Sequence, residues 1–210
     1  MFIPKKFKQK NIEDLVELMR QYCFATLITQ SEVGLEATHL PMIVVKKSDT
    51  FYLKAHIAKA NPLWKSVANS ADVLVTFNGP NCYISPHNYP TKKETGKAVP
   101  TWNYVVVHVM GTISFIHNSE WIYDAIETLT NIHESGQAEP WSISDVPDEY
   151  IRKMLPAIVG IEIEVTSITG QWKLSQNQPR VNQRGVAEAL SERTDSSMTE
   201  IASLINANFV

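Results

Sequence analysis

The chain has 210 residues, 44% of them hydrophobic and 20% charged, with 19 basic against 22 acidic side chains and a formal net charge of −3. This composition can bury the core of one ordinary domain or two small ones, and it excludes disordered, collagen-like and low-complexity chains. The longest apolar runs, at 105–107 and 158–161, fall far short of the roughly 20 residues that span a bilayer, and no basic run offers an extended phosphate-binding face. The opening Met1-Phe2-Ile3-Pro4-Lys5-Lys6-Phe7 has neither an apolar stretch nor a small-residue cleavage site, so it does not read as a signal peptide and the expected location is cytoplasmic. Cys23 and Cys82 lie far apart in apolar contexts, which suits reduced thiols in such a compartment.

In chain order, Ile12, Leu15, Val16 and Met19 recur at helical spacing behind Asn11 and predict a helix over 11–22. Three strands follow, at 24–29, 38–45 and 50–54, separated by polar turns, and form a β-meander. Residues 60–67 read as a short helix with Pro62 in its first turn, and 72–77 as a strand closed by the turn Asn78-Gly79-Pro80. A short strand at 82–85 leads into a loop over 86–100, long enough to be functional or disordered. Nearly every position of 102–115 is apolar or aromatic, which predicts a central strand covered on both faces. Helices capped by Asn118 or Ser119 and spanning 145–155 follow, then a strand in which Ile161, Ile163 and Val165 alternate with polar residues and a bulge interrupts the phase at Thr166-Ser167. Ser197 and Glu200 form a capping box for a terminal helix. The pattern predicts an α+β fold, a small antiparallel barrel or sheet with peripheral helices, over residues 1–174, with 175–210 as a C-terminal helical segment.

Eight glycines supply no phosphate loop and no dinucleotide fingerprint, and the common zinc and serine hydrolase signatures are missing. What remains is a set of unusual strings. Thr38-His39-Leu40-Pro41 puts a histidine in a half-buried strand, either as a ligand contact or as a hydrogen-bonded core or dimer-face residue. Lys54, His56 and Lys59 run along a strand into a helix start at Asn61-Pro62, where cations beside free amides suit a phosphate, although solvated lysines explain the same string. Trp102-Asn103-Tyr104, with His108 on the face of Trp102 and Tyr104, puts planar and amide groups at a barrel mouth, or else in an interface cluster. Trp172-Lys173-Leu174-Ser175-Gln176-Asn177 reads alone as a structural corner.

These strings in this order resemble the PaiB family of FMN-binding split-barrel proteins, named as negative transcriptional regulators, and the similarity covers nearly the whole chain through Gly79-Pro80-Asn81-Cys82-Tyr83-Ile84-Ser85-Pro86 and Val99-Pro100-Thr101-Trp102-Asn103-Tyr104. The chain departs from the family pattern in carrying Ala55 where Gly is usual, Lys59 where Arg is usual and Asn88 where Trp is common, so that a bidentate phosphate contact becomes a point-charge one. The resemblance implies a homodimeric split barrel with FMN in a groove between subunits. It also implies that Thr38, His39 and Leu40 offer backbone groups to the flavin, that Lys54, His56, Lys59 and Asn61 take the ribityl phosphate, and that Trp102 and Asn103 arrive from the other subunit. It implies regulation exerted on DNA or through a regulatory protein, with Arg180, Arg184 and Arg193 as the only local basic grouping, and no membrane. An FMN-dependent oxidoreductase related to pyridoxamine phosphate oxidases and flavin reductases, with His39 or His108 as a donor near the flavin, is the first alternative. A haem-binding split-barrel protein and an interaction module with an empty groove are the others.

Overall fold

The computed structural model describes residues 1–209. In chain order the elements are β1 (Lys8–Gln9), α1 (Ile12–Gln21), β2 (Phe24–Ser31), β3 (Gly34–Pro41), β4 (Ile43–Lys47), β5 (Thr50–Ala58), α2 (Leu63–Ser66), β6 (Asp72–Ile84), α3 (Lys92–Thr95), β7 (Thr101–Ile116), α4 (Ser119–Glu134), α5 (Asp148–Met154), β8 (Ile158–Lys173), α6 (Arg180–Ser191) and α7 (Ser196–Ala207). The strands hydrogen-bond in the order β3-β2-β6-β7-β8-β5-β4, with β1 beside β8. This is the expected α+β, antiparallel split-barrel class, and no ladder closes the sheet among the described residues. No helix of those residues is long and apolar enough to cross a membrane.

The chain forms two compact units. One holds 19–77 and 109–168: the β2–β5 meander, α2, α4, α5 and parts of β6, β7 and β8. Its core is an aliphatic and aromatic layer of Leu27, Leu53, Val75, Phe77, Val109, Ile113, Ile161 and Ile163, each exposed by 1% or less. Two hairpins set its register. Ser31 opposes Gly34 across Glu32-Val33, and Lys47 opposes Thr50 across Ser48-Asp49, where Ser48 takes φ 53° as a two-residue turn requires. β3 and β5 approach one another without pairing. The other unit holds 1–18, 78–108 and 169–209, with Leu15, Ile84, Val105, Val107, Leu174, Val186, Ile201 and Ile205 buried. Its loop at 86–96 is pinned to α6 by Asn182, whose Oδ1 accepts from the amide and the hydroxyl of Thr91 at 3.2 and 3.0 Å.

Several expected boundaries move for physical reasons. The strand read over 38–45 is two strands, broken at Met42, and residues 72–84 form one strand through Asn78-Gly79-Pro80. There the alternation of buried positions slips by one, since Gly79 and Pro80 are both buried; the pair acts as a bulge within a strand. β7 is central, as expected, but fully covered on one face only: Asn103, Val105, Val107, Val109, Ile113 and Phe115 are buried, while the other face is half-buried, with Trp102 and Met110 exposed by 53% and 44%. The N-cap of α7 is Asp195, whose carboxylate accepts from the Met198 amide at 3.0 Å, and not Ser197.

Candidate functional site

Within the unit that holds 19–77, β3 carries Thr38, His39 and Leu40 against Leu27, Thr26 and Ala25 of β2. The Met42 amide donates to the Cys23 carbonyl at 2.9 Å, which fixes the alternation: Leu40 and Thr38 lie in hydrogen-bonded pairs, whereas His39 lies in a non-bonded one. The amide and carbonyl of His39 therefore point to the outer edge of β3, which no strand covers among the described residues. Non-bonded pairs bring side chains closest, and His39 Nδ1 sits 3.1 Å from Thr26 Oγ1, with the Phe24 ring 6.3 Å from the imidazole. Leu40 is buried, Thr38 half-buried and His39 exposed.

Along β5, Leu53, Ala55 and Ile57 enter the core, so Lys54 and His56 share the opposite, half-buried face, about 7 Å apart by strand geometry. His56 opposes Gly160 and Lys54 opposes Glu162 on β8. The space a side chain would fill at Gly160 belongs to the indole of Trp121, since a Cβ there would lie 2.4 Å from its ring. Trp121 stands in the first turn of α4, which Asn118 caps by accepting from the Trp121 amide at 2.8 Å. The ammonium of Lys54 lies 4.9 Å from the centre of that indole, a cation–π contact, while Glu162 pairs with Lys47 at 3.0 Å. Lys54 is thus seated on an aromatic face, and its charge remains available to an anion.

Burial lowers the pKa of His56 below the usual 6.5. The ring is neutral at pH 7 and offers one N–H and one lone pair. Because the unfolded chain binds this proton more readily than the folded one, the contribution is fully present above pH 6.5 and is lost as pH falls toward the lowered value. Urea midpoints are therefore expected to fall between pH 7.5 and 5.5, and His56→Gln is expected to shrink that fall; an unchanged pH slope in the variant would remove His56 as its source.

Beyond β5, Lys59 is exposed, and its backbone is held at both ends: its amide donates to the Ala157 carbonyl at 2.8 Å and its carbonyl accepts from Trp64 Nε1 at 3.0 Å. The helix expected over 60–67 is the single turn α2, and the half-buried Asn61 accepts the Leu63 amide through Oδ1 at 2.9 Å. Free helix amides therefore contribute little here; the cations and the strand edge are what this region offers an anion.

Trp102 and Asn103 belong to the other unit. Asn103 is 0% exposed; its Nδ2 donates to Ser175 Oγ at 2.9 Å and its Oδ1 accepts from the same hydroxyl at 3.3 Å, so the side chain is spent internally. Trp102 meets Tyr83 edge-on at 6.2 Å and, with Asn78, Asn81, Tyr104 and Val106, lines a groove of ≈ 390 Å³. His108 is half-buried on the face of Trp102 and Tyr104, and burial, then the charge of the chain's amino terminus, lowers its pKa. Sequence reasoning missed Trp121 and Gly160. The only local signal was an indole three residues after an N-cap asparagine.

Residues 1–167 match the family described as "Putative FMN-binding domain". The chain belongs to this family. FMN, the cofactor expected from the sequence, is thus the family's own. The chain is 32% identical over 205 residues to the "Protease synthase and sporulation protein PAI 2" of Bacillus subtilis (strain 168), covering 98% of this chain and 96% of that one. Among solved structures, the FAD and heme binding protein of Mycobacterium smegmatis superposes with a TM-score of 0.60 at 14% identity over 79% of this chain and 73% of that one. The flavocytochrome Anf3 of Azotobacter vinelandii does so with a TM-score of 0.56 at 12% identity over 79% and 69%. At these identities the likeness is one of fold.

Proposed function

We propose that this FMN-binding split-barrel protein is a homodimeric regulator of the PaiB kind, in which bound flavin or its redox state biases transcription through a partner. The supporting observation is that one compact unit holds Lys54 and His56 on one strand face, Lys59 just beyond it and the open backbone edge at His39. Lys54 and Lys59 neutralise the ribityl phosphate, His56 and Asn61 donate to it, and the His39 amide and carbonyl, flanked by Thr38 and Leu40, meet the flavin's polar edge. Once bound, FMN supplies one- and two-electron chemistry that the side chains do not. Trp102 of a second copy supplies an aromatic wall, which its 53% exposure permits.

Contact through a partner is favoured over bare DNA by the basic residues themselves. Arg180 and Arg184 each place a guanidinium 5.8 Å from the Phe209 ring, and the net charge is −3. The test is an FMN titration followed by visible absorption and by light scattering. One FMN per subunit on a particle of two chains is expected, and no binding at any FMN concentration would overturn the reading. Steady turnover of bound flavin by a nicotinamide donor would replace regulation with oxidoreduction.

A further inference from the structure

At the end of α4 remote from Trp121 lies a cavity of ≈ 350 Å³, contained within one unit and walled by Met42, Ile43, Val44, Leu129 and Ile132. From Trp121 to His133 the helix advances about 18 Å, so the Cys23–His133 pair stands away from the Trp121 indole that seats Lys54, although Ile43 of the cavity wall is the strand partner of Lys54 on the same sheet face. Its polar groups are Arg20, the half-buried thiol of Cys23 and the imidazole of His133, and no carboxylate lines it among the described residues. Cys23 Sγ stands 3.8 Å from His133 Nε2, within reach of a thiol hydrogen bond, so the nucleophile and a base able to accept its proton face the same apolar space. A half-open apolar cleft with a few convergent polar groups is the usual form of a small-molecule site. A sulfur nucleophile at its wall narrows the ligand to one that sulfur can attack.

We propose that this cavity is a second site of the protein, which takes a small apolar α,β-unsaturated carbonyl compound and joins it covalently to Cys23. The thiol proton passes to His133 Nε2 as the sulfur electron pair forms a bond to the β-carbon. The carbon–carbon π pair moves to the carbonyl as an enolate, and the proton returns from the imidazolium to the α-carbon. One S–H bond and one π bond are exchanged for one C–S and one C–H bond, with no oxidant and no leaving group. The second cysteine is an internal control: Cys82 is 3% exposed, and burial together with the negative charge of Asp195 pushes its thiol up to about 11.

The test uses the native full-length chain and intact-mass kinetics with N-phenylmaleimide and iodoacetamide, each rate divided by that of glutathione. N-Phenylmaleimide is expected to favour Cys23 about tenfold over iodoacetamide, the low end of what burying an aromatic ring contributes. Cys23→Ala should remove the adduct. Ile132→Trp, which fills the cavity mouth, should slow N-phenylmaleimide alone, and His133→Gln should slow both reagents and flatten the pH profile of the rate. N-Phenylsuccinimide, the saturated and unreactive analogue, should protect Cys23 in the unaltered protein, which keeps the test independent of whether any variant folds. Equal normalised rates for the two reagents, or no protection by the succinimide, would overturn the site; a pH profile unchanged in His133→Gln would overturn the role of the imidazole.

Discussion

Replacing Lys54 by methionine is expected to weaken FMN binding by about 10- to 100-fold, the cost of one charge-assisted contact to a phosphate. Methionine retains an apolar stem over Trp121, so the strand face stays covered while the ammonium is lost. Lys59→Ala should cost less, about threefold, because an exposed cation interacts through solvent and salt. Flavin fluorescence titrations at two ionic strengths measure both, and the Lys59 effect should shrink more in high salt. A wild-type dissociation constant in Lys54→Met would take this residue out of the flavin site.

The largest stability loss is expected at Gly111, in the middle of β7. A Cβ there would lie 2.4 Å from the Glu164 carbonyl oxygen and 2.6 Å from Ile163 Cγ2. The first obstacle is backbone of the neighbouring strand in a sheet interior, which cannot rotate away as a side chain would. Gly111→Ala is expected to cost about 3 kcal/mol, the upper part of the range for overpacking, and so to lower Tm by about 6–12 °C. Gly136, with nothing within 4 Å of its added Cβ, is the matched control and should leave Tm unchanged. Equal melting of the two variants would mean that β7 and β8 separate at little cost.

What the sequence disclosed follows from how local each signal is. The α1 stripe, the β2–β3 and β4–β5 hairpins and the Asn118 cap rest on residues within a few positions of one another, and each appears in the fold. Gly79-Pro80 misled because the dipeptide that makes a turn in isolation also makes a bulge when strands lie on both sides, and which holds depends on β2 and β7. The site divides in the same way. Lys54 and His56 were legible as a pair because strand alternation puts them on one face. The indole that covers that face comes from α4, and the absent side chain that admits it from β8; no spacing rule links Trp121 to Gly160. Asn103 stood out as an amide beside two aromatics, but its engagement with Ser175 is a contact between distant parts of the chain.

The open edge of β3 also bears on how the protein behaves in a crowded solution. An uncovered row of amides and carbonyls is a template for another strand, and proteins ordinarily blunt such edges with lysine, proline or short length. β3 runs eight residues with Leu35 exposed by 76%, a single carboxylate at Glu36, and proline only at its end. A ligand or partner lying along His39 would therefore also shield a sheet from growing by addition of a foreign strand. Protein stripped of that occupant is expected to self-associate as concentration rises, and Leu35→Lys to suppress it.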